Sequence, residues 1–477
     1  MNFTYASLAD NKLSKPLIYL FWAGIFLLYV ISASKYIGQS HVYLIFSVTS
    51  NLLLYFGFRR NAIFFDTFIG IFFWIGFWLK CGIRLISTNG MFYVPVGNFD
   101  GSAAAFDKGL LVSSVAFLGL LIASLLREQF LFNYPEKIDA VKTGLFDFYV
   151  RYRKSIWVAF LLLILAVGIS NVFLGVYQRG SITRTILPFG LNGVYKWLLL
   201  FGLASISAVI LWLEFQIKKT ISSITISLGL IEAFVSNVSL LSRGMILNSA
   251  ALLYGVFRNL KFSGITFRLR HVFIVAIVFS TLFVGSVYIV NFIRADLFNN
   301  FESEAEVIEE MHASATPLFI DRWVGMEGVM AVSSYPKLGW PLWKEAVNEV
   351  YDENQTSFYD NNFIESSYVK TDKSKHHFIS LPGIVAFFFY PGSFLFLFIA
   401  MLTAGFGAAL IEYATYQLGG KNVILCSLFA QVIAFRFASF GYVPKQSYLL
   451  FGSLVLNILI IFLANKFIST KPSPHSK

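Results

Sequence analysis

Residues 272–310 read VFIVAIVFSTLFVGSVYIVNFIRADLFNNFESEAEVIEE, and the change of composition inside that stretch decides the architecture. Residues 272–291 carry no charge, and about 20 such residues cross a hydrocarbon core of roughly 30 Å as one α-helix. From Asn291 to Leu381 the chain is then polar, holding fifteen of its twenty-six Asp and Glu residues and three of its six histidines. Apolar spans resume after Leu381. Two crossings can be joined by a handful of residues, so this insert reads as the working part on the outer face, with the membrane as its platform.

The composition of the 477-residue chain agrees. It is 57% hydrophobic and 13% charged, with a mean hydropathy of +0.69, values that exclude an ordinary water-soluble globule. The 53 Phe and 23 Tyr suit lipid-facing surfaces and membrane interfaces. The fold class expected is all-α, a polytopic transmembrane helical bundle with a large, partly helical outer loop.

A net charge of +11 would suggest nucleic acid in a soluble protein. Here the insert holds seven Lys and Arg against fifteen acids, so the rest of the chain carries the positive excess, and nucleic acid is not expected as a partner. Twelve apolar windows can be placed, at 16–33, 41–58, 62–83, 108–126, 155–175, 191–214, 221–239, 243–258, 272–291, 391–412, 422–440 and 447–465. With an inside N-terminus, one set of connections collects Arg59, Arg60, Arg127, Lys137, Lys142, Arg151, Arg153, Lys154, Lys218, Lys219, Arg258, Lys261, Arg268 and Arg270, and the tail adds Lys466, Lys471 and Lys477. This is the positive-inside pattern, and it sets both termini in the cytoplasm.

The organisation expected is therefore 1–290 with nine spans, 291–381 as the outer loop, and 382–477 with three spans and a cytoplasmic tail. The run from Ile221 to Phe257 is short for two crossings, and Pro382 and Pro391 bracket an apolar piece suited to a short re-entrant or interfacial segment. Lys12 and Lys15 ahead of an apolar run resemble a signal peptide, but the run is long for one and reads as a retained first helix. Cys81 and Cys426 fall near opposite faces and imply no disulfide framework.

Within the insert, Ser303 to Ala313 reads as an acidic helix. A second is expected from Thr316 as cap and Pro317 at the first position to about Ser333, followed by Leu342 to Tyr351, with Asp352 to Lys375 as loop. On the second helix Asp321, Gly325 and Gly328 share a face, and two glycines there point to close approach by another backbone or by a ligand, with Asp321, Arg322 and Glu327 around it.

The outer-face cations Arg179, Arg184, Arg243, Arg294, Arg322 and Arg436 oppose the sorting rule. A guanidinium at a membrane boundary costs free energy unless paired, and an anionic lipid headgroup is one partner that would supply the reason; snorkelling or a local acid is the other. Arg243, within Ser242-Arg243-Gly244, and Arg436, within an apolar run, are the most costly. Asp66 and Glu232 are acids inside spans, and a salt bridge from Glu232 to one of these arginines competes with a catalytic role. His377, where the chain re-enters the membrane, has the pKa range of a general base, though a histidine in a polar loop is often only solvated.

Other chemistries find no support in the sequence. The His376-His377 pair lacks the spacing of a zinc site, and Asp352, Asn354 and Thr356 begin like a calcium loop without its glycine or its final glutamate. No Walker loop, dinucleotide fingerprint or GxSxG is present.

The arrangement resembles the O-antigen polymerases, the Wzy-type enzymes that polymerise lipid-linked oligosaccharide repeat units. The matching features are the many spans, a large outer loop late in the chain, Ser242-Arg243-Gly244 opening a span, outer-loop arginines, and Arg179 and Gly190 with ten residues between them. The insert has no second such spacing. The segment from His377 through Gly383 to Gly392 is similar to the histidine-containing re-entry of the related O-antigen ligases.

The resemblance implies a metal- and nucleotide-independent glycosyltransferase of the bacterial inner membrane, with the loop periplasmic. Its substrates would be undecaprenyl-diphosphate-linked donor and acceptor, with no cofactor, and a chain-length regulator fits as a further partner. It implies Arg243, Arg322 and Arg436 on the diphosphate, Arg179, Arg184 and Arg294 guiding substrate, and His377 as base, with Asp321 or Glu327 as its alternative or as a sugar ligand. Trp323, Trp340, Trp343 and Tyr359 would stack on sugars. A ligase acting on a lipid A core is the nearest rival, and a lipid-linked oligosaccharide flippase a more distant one.

Overall fold

The computed structural model describes residues 2–3, 14–92, 95–138, 144–218, 223–263, 267–298, 323–352, 355–364 and 377–468. The regular structure of the described chain is helical, apart from a two-residue antiparallel pairing that sets Asn2 opposite Arg268 and Phe3 opposite Phe267. The long helices are α1 (Ser14–Lys35), α2 (Ser40–Phe58), α3 (Phe64–Thr88), α4 (Ala103–Phe130) and α5 (Gly144–Leu174). Next comes α6, which runs from Leu191–Trp197 through a π-helical turn, Leu198–Gly202, into Leu203–Lys218. Then follow α7 (Ser223–Ser239), α8 (Ile246–Ser263) and α9 (Leu269–Phe298).

In the insert lie α10 (Met326–Ser333) and α11 (Trp340–Val347), and at the re-entry α12 (Ile384–Phe388). The chain closes with α13 (Phe394–Leu418), α14 (Val423–Ala438) and α15 (Ser447–Phe467).

Nine helices among the described residues are long and apolar enough to cross a membrane. The remaining apolar windows of the sequence fall on α7, α8 and α14, of 17, 18 and 16 residues. At 1.5 Å per residue each spans roughly 24–27 Å, short of a full hydrocarbon core. Their packing accounts for the length. α14 is apolar around its whole circumference and sits at the centre, packed on α3, α6, α8 and α13, as an all-round apolar helix does when it is buried. α1 and α9 form the rim, with 11% of their membrane-spanning windows buried.

Helices in lipid associate through close packing rather than through exclusion of water, and small residues mark the contacts. Gly119 of α4 lies against the Phe398 carbonyl of α13, and Gly255 of α8 against the Ile424 backbone of α14.

One end of the bundle is pinned by carboxylates. Glu412 of α13 accepts the N–H groups of Phe64 at 2.8 Å and Phe65 at 2.9 Å and the Tyr134 hydroxyl at 2.7 Å, so it caps the start of α3. Asp66, read from sequence as an acid within a span, pairs with the buried Arg127 at 2.7 Å.

The insert departs from expectation. The described part of its second helix begins at Met326, so Gly325 precedes the helix and shares no helical face with Gly328. The acidic helix expected at Ser303–Ala313, and Thr316, Asp321 and Arg322, lie outside the described residues. The third helix starts two residues earlier and ends four earlier than expected, because Pro341 fits its first turn.

The stretch expected as loop contains a buried π-helical turn, Asp360–Ile364, whose Phe363 packs on Tyr335 and Tyr390. The glycines report close backbone contact. A Cβ on Gly325 would sit 2.6 Å from the Gly76 carbonyl oxygen, and one on Gly328 would run into the Pro382 carbonyl. Gly76 belongs to a π-helical turn of α3, Trp74–Leu79, so the insert docks where that helix is locally widened. The segment bracketed by Pro382 and Pro391 holds α12, a single buried turn and a half.

Candidate functional site

The end of the bundle opposite Glu412 is built around the connection between α5 and α6. Asn171, fully buried near the end of α5, fixes it. Its amide donates to the carbonyls of Tyr177 at 3.0 Å and Ser239 at 2.9 Å, and its oxygen accepts the Tyr177 N–H at 2.9 Å. The connection is thereby tied to the end of α7, and Arg179 continues the tie by donating its backbone N–H to Leu240 at 2.9 Å.

The Ser239–Gly244 turn, which carries Arg243, receives cations from two sides. Arg294 of α9 donates to the Leu241 carbonyl at 3.2 Å. Arg179 Nη1 would lie 3.9 Å from a Cβ on Gly244. The Arg243 side chain lies outside the described atoms, but the Ser242 hydroxyl caps its turn by accepting the Gly244 N–H at 3.3 Å. Arg184 folds against Gly175 and donates to the Gln178 amide oxygen at 2.8 Å.

The re-entry segment closes over this connection. His377 donates its backbone N–H to the Gly180 carbonyl at 3.2 Å, and its Nε2 lies 3.1 Å from the Tyr442 hydroxyl. Its ring sits between those of Tyr351 and Tyr442, with centroids 5.6 and 5.8 Å away. Arg436, at the end of α14, lies over the Phe440 ring and donates to Ser447 Oγ at 3.1 Å and, at the limit of hydrogen bonding, to the Tyr442 carbonyl at 3.5 Å. His377, Arg179 and Arg436, far apart in sequence, therefore belong to one surface.

The electrostatics of the two ends differ. At the end pinned by Glu412, arginines meet carboxylates: Arg59 with Glu128 at 2.8 Å, Arg127 with Asp66, Arg153 with Glu214, and Arg60 with Glu136. At the His377 end, Arg179, Arg184 and Arg436 have no carboxylate within ion-pair distance among the described residues, and the bonds of Arg184 and Arg436 go to amide, hydroxyl and carbonyl oxygens. A cation so placed retains its attraction for an external anion.

Glu327 belongs elsewhere. Its carboxylate pairs with Lys80 at 2.6 Å, and the same ammonium donates to the Trp323 carbonyl at 2.5 Å; both side chains are almost wholly buried. The carboxylate expected from sequence as acid, base or sugar ligand is held in an ion pair that clamps the insert to α3. Trp323 stacks on Phe72 and Tyr359 is buried, so neither is an open sugar platform, whereas Trp340 is half-exposed. Glu232 makes no salt bridge among the described residues; Ser236 donates to one of its oxygens at 2.7 Å.

Sequence reading overlooked Lys80, Tyr351, Tyr442 and Glu349. Lys80 was detectable, being a cation inside an apolar window by the same rule that singled out Arg436. Glu349 bridges two segments, accepting the Phe358 N–H and, at 2.7 Å, the Val443 N–H. Burial raises its carboxyl above the usual range; the two backbone bonds oppose the shift and nearby Asp360 adds to it. No family model, curated protein or solved structure matches this chain at a significant level.

Proposed function

We propose that this chain is an inner-membrane glycosyltransferase of the polymerase type. In this reading it extends undecaprenyl-diphosphate-linked oligosaccharide at the periplasmic face, with twelve crossings and both termini cytoplasmic. The observation that carries the reading is that the guanidinium groups of Arg179, Arg184 and Arg436 have no carboxylate partner among the described residues and stand on segments joined to His377 through Gly180 and Tyr442. A diphosphate supplies the missing negative charge, and the resemblance to lipid-linked glycan polymerases names the carrier.

The chemistry follows from those positions. An acceptor sugar hydroxyl takes the place of the Tyr442 hydroxyl at His377 Nε2. His377 removes its proton as the oxygen attacks the donor's anomeric carbon, and the bond from that carbon to the diphosphate breaks. The electron pair leaves with undecaprenyl diphosphate, whose growing charge the arginines stabilise. The energy comes from the glycosyl diphosphate bond, and the protein supplies orientation and charge.

A strain lacking this protein tests the reading. Surface polysaccharide reduced to one repeat per core on a gel supports a polymerase, while loss of all repeats indicates a ligase or a flippase.

A further inference from the structure

Beside His377, on the insert, lies an open groove of about 800 Å³. α11 forms one wall with Lys344, Glu345 and Asn348, and the chain around Gln355, Asn361 and Asn362 forms the other. Tyr351, 43% exposed, stands in the groove and faces the His377 ring, so the groove opens directly beside the candidate base.

Its walls are preformed. Glu349 ties the groove to both Phe358 and Val443, the Thr356 hydroxyl donates to Asn361 Oδ1 at 2.7 Å, and Asn362 donates to the Phe358 carbonyl at 2.9 Å.

The chemistry of this lining is opposite to that of the arginine surface. Among the described lining residues the carboxylates Glu345, Glu349 and Asp352 outnumber the single cation Lys344, which disfavours a diphosphate. Amide and hydroxyl groups around an accessible aromatic ring match the hydroxyls and apolar faces of sugars.

We infer that this groove binds the glycan portion of the acceptor, as a neutral or amino-bearing oligosaccharide, and presents its terminal hydroxyl past Tyr351 to His377. The inference rests on the glycosyltransferase reading and specifies where that reading's acceptor lies.

The test uses full-length protein in detergent and oligosaccharide released by mild acid from the source organism's surface polysaccharide. Binding is followed by saturation-transfer NMR, and ladder formation from lipid-linked repeat units is assayed separately. The expected result is binding by wild-type protein, at least tenfold weaker binding by Tyr351→Ala and Gln355→Ala, and no displacement by inorganic pyrophosphate.

Gln355 is exposed and its side chain bonds to no other group among the described residues, so its replacement is expected to leave the fold intact. Equal binding by wild type and both variants, no binding at all, or displacement by pyrophosphate overturns the groove. Binding that depends on Tyr351 and Gln355 without any ladder supports the groove and overturns the polymerase reading instead.

Discussion

His377 Nε2 lies 3.1 Å from the Tyr442 hydroxyl while the same residue's backbone N–H is donated to Gly180, so one histidine joins the re-entry segment, the end of the bundle and the arginine-bearing connection. Removing the imidazole is expected to lower turnover by about 10²–10⁴-fold, the usual worth of a general base. Tyr442→Phe should cost far less, because in the proposed reaction a sugar hydroxyl takes the place of the phenol. The check is turnover of both variants at equal amounts in the membrane; equal losses would make the pair structural.

The Lys80–Glu327 pair should behave as a clamp. Replacing Lys80 alone by Met removes the ammonium partner of a buried carboxylate at a cost of about 3–5 kcal/mol, whereas Lys80→Met combined with Glu327→Leu is expected to recover most of that stability. Activity should return with stability in the double variant. A stable but inactive double variant would restore Glu327 to the chemistry.

Arg436→Lys keeps the charge and loses the planar fork, which in the proposed reaction grips two phosphate oxygens. Its turnover should fall at least tenfold, and Arg179→Lys and Arg243→Lys should also lose activity. Full activity of Arg436→Lys would reduce the role of that residue to charge alone.

Glu349 should give the outer joint an acid-side pH dependence. Its carboxyl is raised in the folded protein, so the folded state holds the proton more tightly than the unfolded chain. The contribution to stability is largest below the unfolded value of about 4.3 and is lost as pH rises through the raised folded value. Thermal stability in detergent, followed against pH, should show this decline in wild type and a flatter profile in Glu349→Gln; parallel profiles would contradict it.

The sequence disclosed what depends on runs of like residues. Each of the twelve apolar windows coincides with a helix, because a largely apolar run of this length has few alternatives to burying its backbone polar groups in a helix. It disclosed less of what depends on contact across the fold. Gly325 and Gly328 stood out correctly as sites of close approach, yet the backbones they meet, Gly76 and Pro382, are distant in sequence.

Glu327 could not be told from a free acid until Lys80 was seen beside it, and Tyr351 and Tyr442 carry no mark of their place around His377. Arg436 was legible because a cation in an apolar run is conspicuous wherever it points.

The proposed reaction is transfer of glycan from a diphosphate carrier at the His377 surface. It is tested most directly by giving purified protein undecaprenyl-diphosphate-linked repeat units in detergent without added metal or nucleotide. The expected result is a ladder of lengthened products with release of undecaprenyl diphosphate, absent with His377→Ala. Unchanged repeat units in the presence of well-folded wild-type protein, or a single transfer onto a lipid A core with no ladder, would contradict it.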